Sequence, residues 1–117
     1  MYVRSVGKPH VSNTVGKLGE DIAATFLERR GCLVLARNIR ADGGEIDLVV
    51  SDGTACVAIE VKTTSHGSDP ADAVDDRKLA LLERTASSLG MAINRIDIVA
   101  VTLSPNGIEV RWLRAVD

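Results

Sequence analysis

The chain has 117 residues, of which 45% are apolar and 26% are charged, and its net charge is −2. These values are typical of one soluble globular domain, and they exclude a low-complexity chain and a chain with two cores. No apolar run is long enough for a signal peptide or a membrane span, so we expect a cytoplasmic protein with no membrane partner. Because nucleic-acid-binding proteins usually carry a basic surplus, any contact with phosphates must come from a local basic patch.

Residues 1–12 are polar and irregular, and we predict that they form a flexible N-terminal tail. The remaining residues, 13–117, are predicted to form a single domain that begins with a helix at 14–30, where apolar residues recur at helical spacing. Two glycines in this helix, Gly16 and Gly19, each cost about 1 kcal/mol relative to alanine. Close approach of another backbone is one reason for a helix to keep them.

Five short runs rich in β-branched and apolar residues predict strands, and a second helix lies between the third and the fourth. An Asp-Gly pair between the second and third runs is a strong signal for a hairpin. The predicted strands are 33–36, 45–50, 55–62, 95–103 and 108–113, and the predicted second helix is 75–89. The resulting order, α-β-β-β-α-β-β, predicts an α/β domain with a mixed sheet flanked by helices.

The central hairpin carries charged residues inside apolar strands. If its turn has two residues, Glu45 faces Glu60 and Asp47 faces Ala58. Strict alternation then places Glu45, Asp47, Glu60 and Lys62 on one face of the sheet. A one-residue bulge would change this pairing.

Carboxylates that converge on one sheet face repel one another and lose hydration, so a divalent cation is the expected compensation. Mg²⁺ prefers oxygen ligands and needs only one or two protein carboxylates, here Asp47 and Glu60. Lys62 would reach the same space. There it would orient or deprotonate the water that attacks a phosphodiester, or stabilise the charge of the transition state.

Asp47, twelve intervening residues and then Glu60-Val61-Lys62 resemble the PD-(D/E)XK nuclease signature. More closely, nearly all of the chain outside the N-terminal tail resembles the YraN family of small uncharacterised bacterial proteins. The blocks that carry this resemblance are Gly16–Glu20, Arg37-Asn38, Gly44–Val49, Glu60–Thr63 and Arg95–Val99. The chain departs from the family at Thr64, where an arginine is usual, and at Ile96, where an aromatic residue is usual.

The resemblance implies a restriction-endonuclease-like core and a nuclease that depends on Mg²⁺ or Mn²⁺. It implies that Asp47 and Glu60 are metal ligands and that Lys62 is the catalytic lysine. Glu20 matches an acidic residue that related junction-resolving nucleases add to the site. The implied partner is nucleic acid, in particular structured or branched DNA, and a homodimer would suit a two-fold substrate.

Several side chains have a second interpretation. Asp47 and Glu60 could form a structural ion pair with Lys62 or an arginine, and Glu20 could be an ordinary surface residue. Glu45 is either a further ligand or a charge at the edge of the sheet. Lys78, in the first turn of the second helix, points either toward the site or into solvent.

Two other functions remain open. One is a catalytically silent nuclease-fold protein that binds nucleic acid or a partner protein, and the other is a subunit whose hairpin face is an oligomer interface. Cys32 and Cys56 lack metal-site spacing and are predicted to be buried apolar thiols. Asp97 is expected to pair with a nearby arginine.

Overall fold

The computed structural model describes residues 11–41, 43–65, 76–90 and 92–115. The predicted element order, α-β-β-β-α-β-β, is confirmed. The elements are α1 (Val11–Arg29), β1 (Leu33–Ala41), β2 (Gly44–Ser51), β3 (Cys56–Thr64), α2 (Asp76–Ser88), β4 (Arg95–Ser104) and β5 (Gly107–Leu113). No helix in these ranges is long and apolar enough to cross a membrane.

The five strands form one sheet in the order β1-β2-β3-β4-β5, and only β3 and β4 run parallel. That parallel pair needs a crossover, and α2 lies between the two strands in the sequence. One sheet face packs against Ala23, Ala24 and Leu27 of α1, and the other packs against Leu82 and Ala86 of α2. We call these faces the α1 side and the α2 side. Because both are covered, the central strands carry apolar residues on each side.

The helix α1 begins at Val11, three residues before the predicted start, so residues 11 and 12 of the predicted tail are helical. Residues 1–10 lie outside the described residues. The helix ends at Arg29, and Gly31 follows with a φ of 92°, a conformation that favours glycine. The amide of Cys32 then donates to the carbonyl oxygen of Leu27 at 3.0 Å, and its thiol is buried as predicted.

The predicted pairing of the central hairpin is wrong by two residues. Ser51 pairs with Cys56 and Val49 pairs with Ala58, so the connection contains four residues rather than two. Asp52 stabilises this connection, because its Oδ1 accepts hydrogen bonds from the amides of Thr54 at 2.9 Å and Ala55 at 2.8 Å. The predicted partners Glu45–Glu60 and Asp47–Ala58 are therefore not paired. A shift of two residues does not by itself change the facing of the side chains. The strict alternation predicted for β2 is nevertheless wrong, because Ile46 packs on the α2 side together with Val49.

Asp97 is completely buried and lies at the centre of a hydrogen-bonded cluster. Arg95 donates to it from Nε at 2.9 Å and from Nη2 at 3.0 Å, which confirms the predicted pairing with an arginine. The indole Nε1 of Trp112 and the amide of Ala115 also donate to its carboxylate, at 2.9 and 2.8 Å. Arg95 further contacts Asp52 at 3.0 Å. This cluster ties β4, β5 and the hairpin connection together.

Gly19 allows α1 to approach β3. A Cβ atom built on Gly19 would lie 1.8 Å from Oγ1 and 2.9 Å from Cβ of Thr63, whereas one on Gly16 would meet no atom within 4 Å. We therefore expect Gly19→Ala to destabilise the protein, because the helix must move away from the strand. Gly16→Ala should instead stabilise it by up to about 1 kcal/mol through helix propensity. Urea unfolding of both variants checks this, and equal effects of the two substitutions would contradict it.

Candidate active site

The strand β2 switches faces at Asp47. Ile46 and Val49 both pack on the α2 side, and Leu48 between them packs on the α1 side. Strict alternation would place Ile46 and Leu48 on the same side. The regular pleat is therefore interrupted at Asp47.

The neighbouring strand β1 is interrupted at the matching position. Ala36 and Ile39 both pack on the α2 side, and Asn38 between them has a φ of 51°. The pairing of β1 with β2 skips Asn38 and Asp47, although it continues on both sides of them. Asparagine enters this left-handed region more readily than most residues, so Asn38 suits the break.

At this break, the Asp47 carboxylate lies against the backbone of β3. The pairing of β2 with β3 ends at Leu48 and Ile59, and Oδ2 of Asp47 accepts a hydrogen bond from the amide of Val61 at 2.8 Å. A side-chain oxygen thus takes the place of a backbone acceptor. This contact brings Asp47 close to the part of β3 that carries Glu60 and Lys62.

Glu60 and Lys62 extend from β3 on the α2 side, as Ala58 does. Glu60 is only 4% exposed, and Nζ of Lys62 lies 3.3 Å from its Oε2. The ion pair predicted as an alternative is thus present between these two residues. The Lys62 side chain is 28% exposed, so solvent reaches the pair from the lysine side.

Burial raises the pKa of Asp47 from an ordinary value of 3.8 to about 7. The negative charge of Glu60 adds to this increase, and the hydrogen bond from Val61 opposes it. Glu20 and Glu45 raise the pKa further. Burial and three neighbouring carboxylates therefore all disfavour the ionised form of Asp47.

Asn38 connects Glu20 on α1 with Glu45 on β2. Its Nδ2 donates to Oε1 of Glu20 at 2.9 Å and to Oε2 of Glu45 at 3.3 Å. Sequence reasoning did not identify this residue as part of the site, although Arg37-Asn38 was one of the blocks shared with the YraN family. The side chain of Lys78 lies outside the described part of the chain.

The donor set fits a hard divalent cation. Within the described ranges, no three His, Cys, Asp or Glu side chains form a group that could hold a metal. Asp47 and Glu60 supply two carboxylates, and Mg²⁺ bound at enzyme sites commonly takes one or two carboxylates together with water and substrate phosphate. Burial and the charge of Glu60, which raise the pKa of Asp47, are both effects that a bound cation would offset.

Residues 19–101 match the sequence profile of the Uncharacterised protein family UPF0102. A UPF0102 protein of Nocardioides sp. is 40% identical over 109 residues, which cover 86% of this chain and 87% of the relative. A UPF0102 protein of Paenarthrobacter aurescens is 43% identical over 113 residues, which cover 87% and 92%. The chain belongs to UPF0102. This is the YraN family, so the predicted family resemblance is confirmed.

The fold of this UPF0102 member is similar to that of Hjc, a Holliday junction resolvase from Archaeoglobus fulgidus. The TM-score is 0.54 with 18% sequence identity, and the match covers 86% of this chain and 77% of Hjc. At this identity the similarity supports the fold alone. The predicted restriction-endonuclease-like core is confirmed.

The raised pKa of Asp47 predicts how stability depends on pH without metal. Between about pH 4 and pH 7 the folded state binds more protons than the unfolded state, so the free energy of unfolding should fall as pH rises. Asp47→Asn has no such proton, and its stability relative to wild type should grow by on the order of a few kcal/mol across this window. Urea unfolding in EDTA measures the difference, and a difference that stays constant with pH would contradict the prediction.

Millimolar Mg²⁺ at pH 8 should raise the melting temperature of wild type but not that of Asp47→Asn.

The left-handed backbone at Asn38 gives a second prediction. Asn38→Ala should destabilise the protein by roughly 1–2 kcal/mol more than Asn38→Gly, because only alanine is strained at a φ of 51°. Both variants lose the side-chain amide that contacts Glu20 and Glu45. The difference between their stabilities therefore measures the backbone strain alone. Thermal unfolding of the pair measures it. Equal stabilities would show that this backbone conformation is not retained.

Proposed function

We propose that this UPF0102 protein is a metal-dependent nuclease that hydrolyses phosphodiester bonds in structured or branched DNA. The observation that supports this most is the location of Asp47, Glu60 and Lys62 where β2 and β3 cease to pair. A strand break that directs a partly buried carboxylate toward an acidic strand costs stability. Such a cost is common at functional sites and uncommon in structural sheets.

In this proposal, Asp47 and Glu60 hold Mg²⁺ or Mn²⁺. The bound cation would neutralise charge on the phosphate and lower the pKa of the attacking water. Lys62 lies at the solvent-facing edge of the pair, and its ammonium would orient that water or stabilise charge on the phosphate oxygens. Glu20 lies across Asn38 from Glu45 and would keep the region acidic enough to attract a cation.

The substrate class is supported by the fold and by the similar protein. Hjc is described as a Holliday junction resolvase, which acts on branched DNA. A two-fold homodimer of this chain would match a two-fold junction, because each copy would present one site to one strand. The proposal includes such a dimer.

A second candidate function is a nuclease-fold protein that binds nucleic acid without cutting it. The 3.3 Å ion pair favours this alternative, because Glu60 already neutralises Lys62. Thr64 also stands where the family usually has an arginine, which removes one phosphate contact from the site.

Substitution of Lys62 separates the two functions. Lys62→Ala should reduce cleavage by about 10²–10³-fold while binding falls only slightly, because one lysine is one phosphate contact among several. Lys17→Ala is the matched control, since Lys17 is 63% exposed and pairs with Asp21 instead. Asp47→Asn should also abolish cleavage. The assay offers duplex, single-stranded, flap and four-way DNA and structured RNA, each with Mg²⁺ and Mn²⁺.

Two outcomes would contradict the nuclease proposal. If wild type binds one of these substrates but cuts none with either metal, the binding function is correct. If wild type and Lys62→Ala cut equally well, the activity arises at another site or from a contaminant.

A further inference from the structure

Two arginines and two aromatic rings pack against one another on the α1 side. The guanidinium carbon of Arg30 lies 3.6 Å from the ring centroid of Phe26, and that of Arg114 lies 4.0 Å from the Trp112 ring. The two rings meet edge to face, with centroids 6.4 Å apart and an angle of 81°. We call these four residues the arginine–aromatic array. Two of the three aromatic residues in the chain belong to it.

The array has rigid support from the core. Trp112 donates from Nε1 to the completely buried Asp97 at 2.9 Å, which fixes the plane of the indole. Phe26 packs against the core on the α1 side, and Nη1 of Arg30 donates to the carbonyl oxygen of Phe26 at 3.4 Å. The rings and one guanidinium are therefore held before any ligand arrives. Such preorganisation lowers the entropic cost of binding.

Both guanidinium groups of the array lie at the surface. Arg30 and Arg114 are exposed, and no carboxylate in the described ranges forms an ion pair with either. A guanidinium that stacks on a ring uses its flat face, so most of its N–H edge stays available for a phosphate. Arg29, also exposed, adds a third positive charge in the last turn of α1. This is the local basic patch that a chain of net charge −2 requires for phosphate contact.

A groove runs beside the array. Its volume is about 820 Å³, and beside the array it is lined by Phe26, Arg29, Arg30 and Val110. The carboxylates of Glu28 and Asp21 also line it, and Asp21 is paired with Lys17 and Arg37. The part of the groove next to the array combines apolar and cationic side chains. This combination fits a nucleotide, whose base stacks on flat side chains while its phosphate contacts arginine.

We infer that the arginine–aromatic array is a nucleic-acid contact surface that binds backbone phosphates without a divalent cation. It shares only the class of ligand with the proposed nuclease function. Trp112 pairs with Val99 and Val99 with Val61, so the array lies two strands, or roughly 10 Å, from the strand that carries Glu60 and Lys62. The array lies on the α1 side and those two residues lie on the α2 side. The array would therefore bind a part of the nucleic acid that lies outside the proposed cleavage site.

Binding in EDTA tests this inference separately from cleavage. Fluorescence anisotropy with labelled single-stranded DNA, duplex DNA and single-stranded RNA should show at least about tenfold weaker binding by the double variant Arg30→Gln with Arg114→Gln. The slope of log affinity against log salt should fall by roughly 1.5, because two phosphate contacts are lost. The double variant Arg30→Lys with Arg114→Lys keeps the positive charge but loses the planar guanidinium that stacks on the ring. Its affinity should lie between those of wild type and the double Arg→Gln variant.

A charge-matched control is Lys17→Gln with Arg77→Gln, two exposed residues outside the array. This control should bind at least severalfold more tightly than the array variant. Equal loss in the control and the array variant would overturn the inference, and so would failure of wild type to bind any probe in EDTA. If the array variant alone loses binding while wild type cuts no substrate with metal, the nuclease proposal fails and this inference stands.

Discussion

The hydrogen bond from the Val61 amide to the Asp47 carboxylate determines the geometry of the whole site. A side chain accepts this bond, and the residues of β2 that precede Leu48 are not paired with β3. The strand also changes faces at this point. The same bond brings an acid next to Glu60. The pairing of β2 with β3 therefore ends where the carboxylates of Asp47 and Glu60 lie near each other.

The completely buried Asp97 and the partly buried Asp47 show how the surroundings of a carboxylate separate a structural role from a proposed catalytic one. Asp97 receives four hydrogen bonds, two of them from the guanidinium of Arg95, so its charge is compensated inside the protein. Asp47 accepts a hydrogen bond from one backbone amide, and burial together with the charge of neighbouring acids raises its pKa to about 7. A carboxylate that is paired with an arginine has its charge compensated without a bound cation. An acid without an arginine partner gains stability from a cation, and this contrast supports Asp47 over Asp97 as the metal ligand.

The sequence was sufficient to predict the order of elements, but not the strand pairing or the interruption of β2 at Asp47. The apolar pattern repeats every two residues, so a register error of two leaves that pattern unchanged. The actual register depends on Asp52, whose carboxylate closes a four-residue connection through the amides of Thr54 and Ala55. An Asp-Gly pair is compatible with both a two-residue and a four-residue turn, so composition could not distinguish them.

Two further features depended on contacts between elements that are distant in the sequence. Asn38 was visible only as part of a family block, because its left-handed backbone is required by the matching break at Asp47 on the next strand. The strand β1 was predicted to end at residue 36 but extends to Ala41, since its polar residues lie at an edge of the sheet where apolar alternation is not needed. Gly19 was noticed in the sequence, yet its partner proved to be the side chain of Thr63 rather than a backbone.

The helix α1 links the two surfaces to which functions are proposed. Its first half carries Glu20 to the carboxylate cluster, and ten residues later, roughly 15 Å along the axis, Arg30 reaches the array. The close approach of Gly19 to Thr63 fixes the position of the helix on β3, so it fixes both ends together. A change that lifts α1 would disturb both surfaces at once, whereas side-chain substitutions at either end would disturb only one. The two proposed functions are thus separable by chemistry even though they depend on the same packing contact.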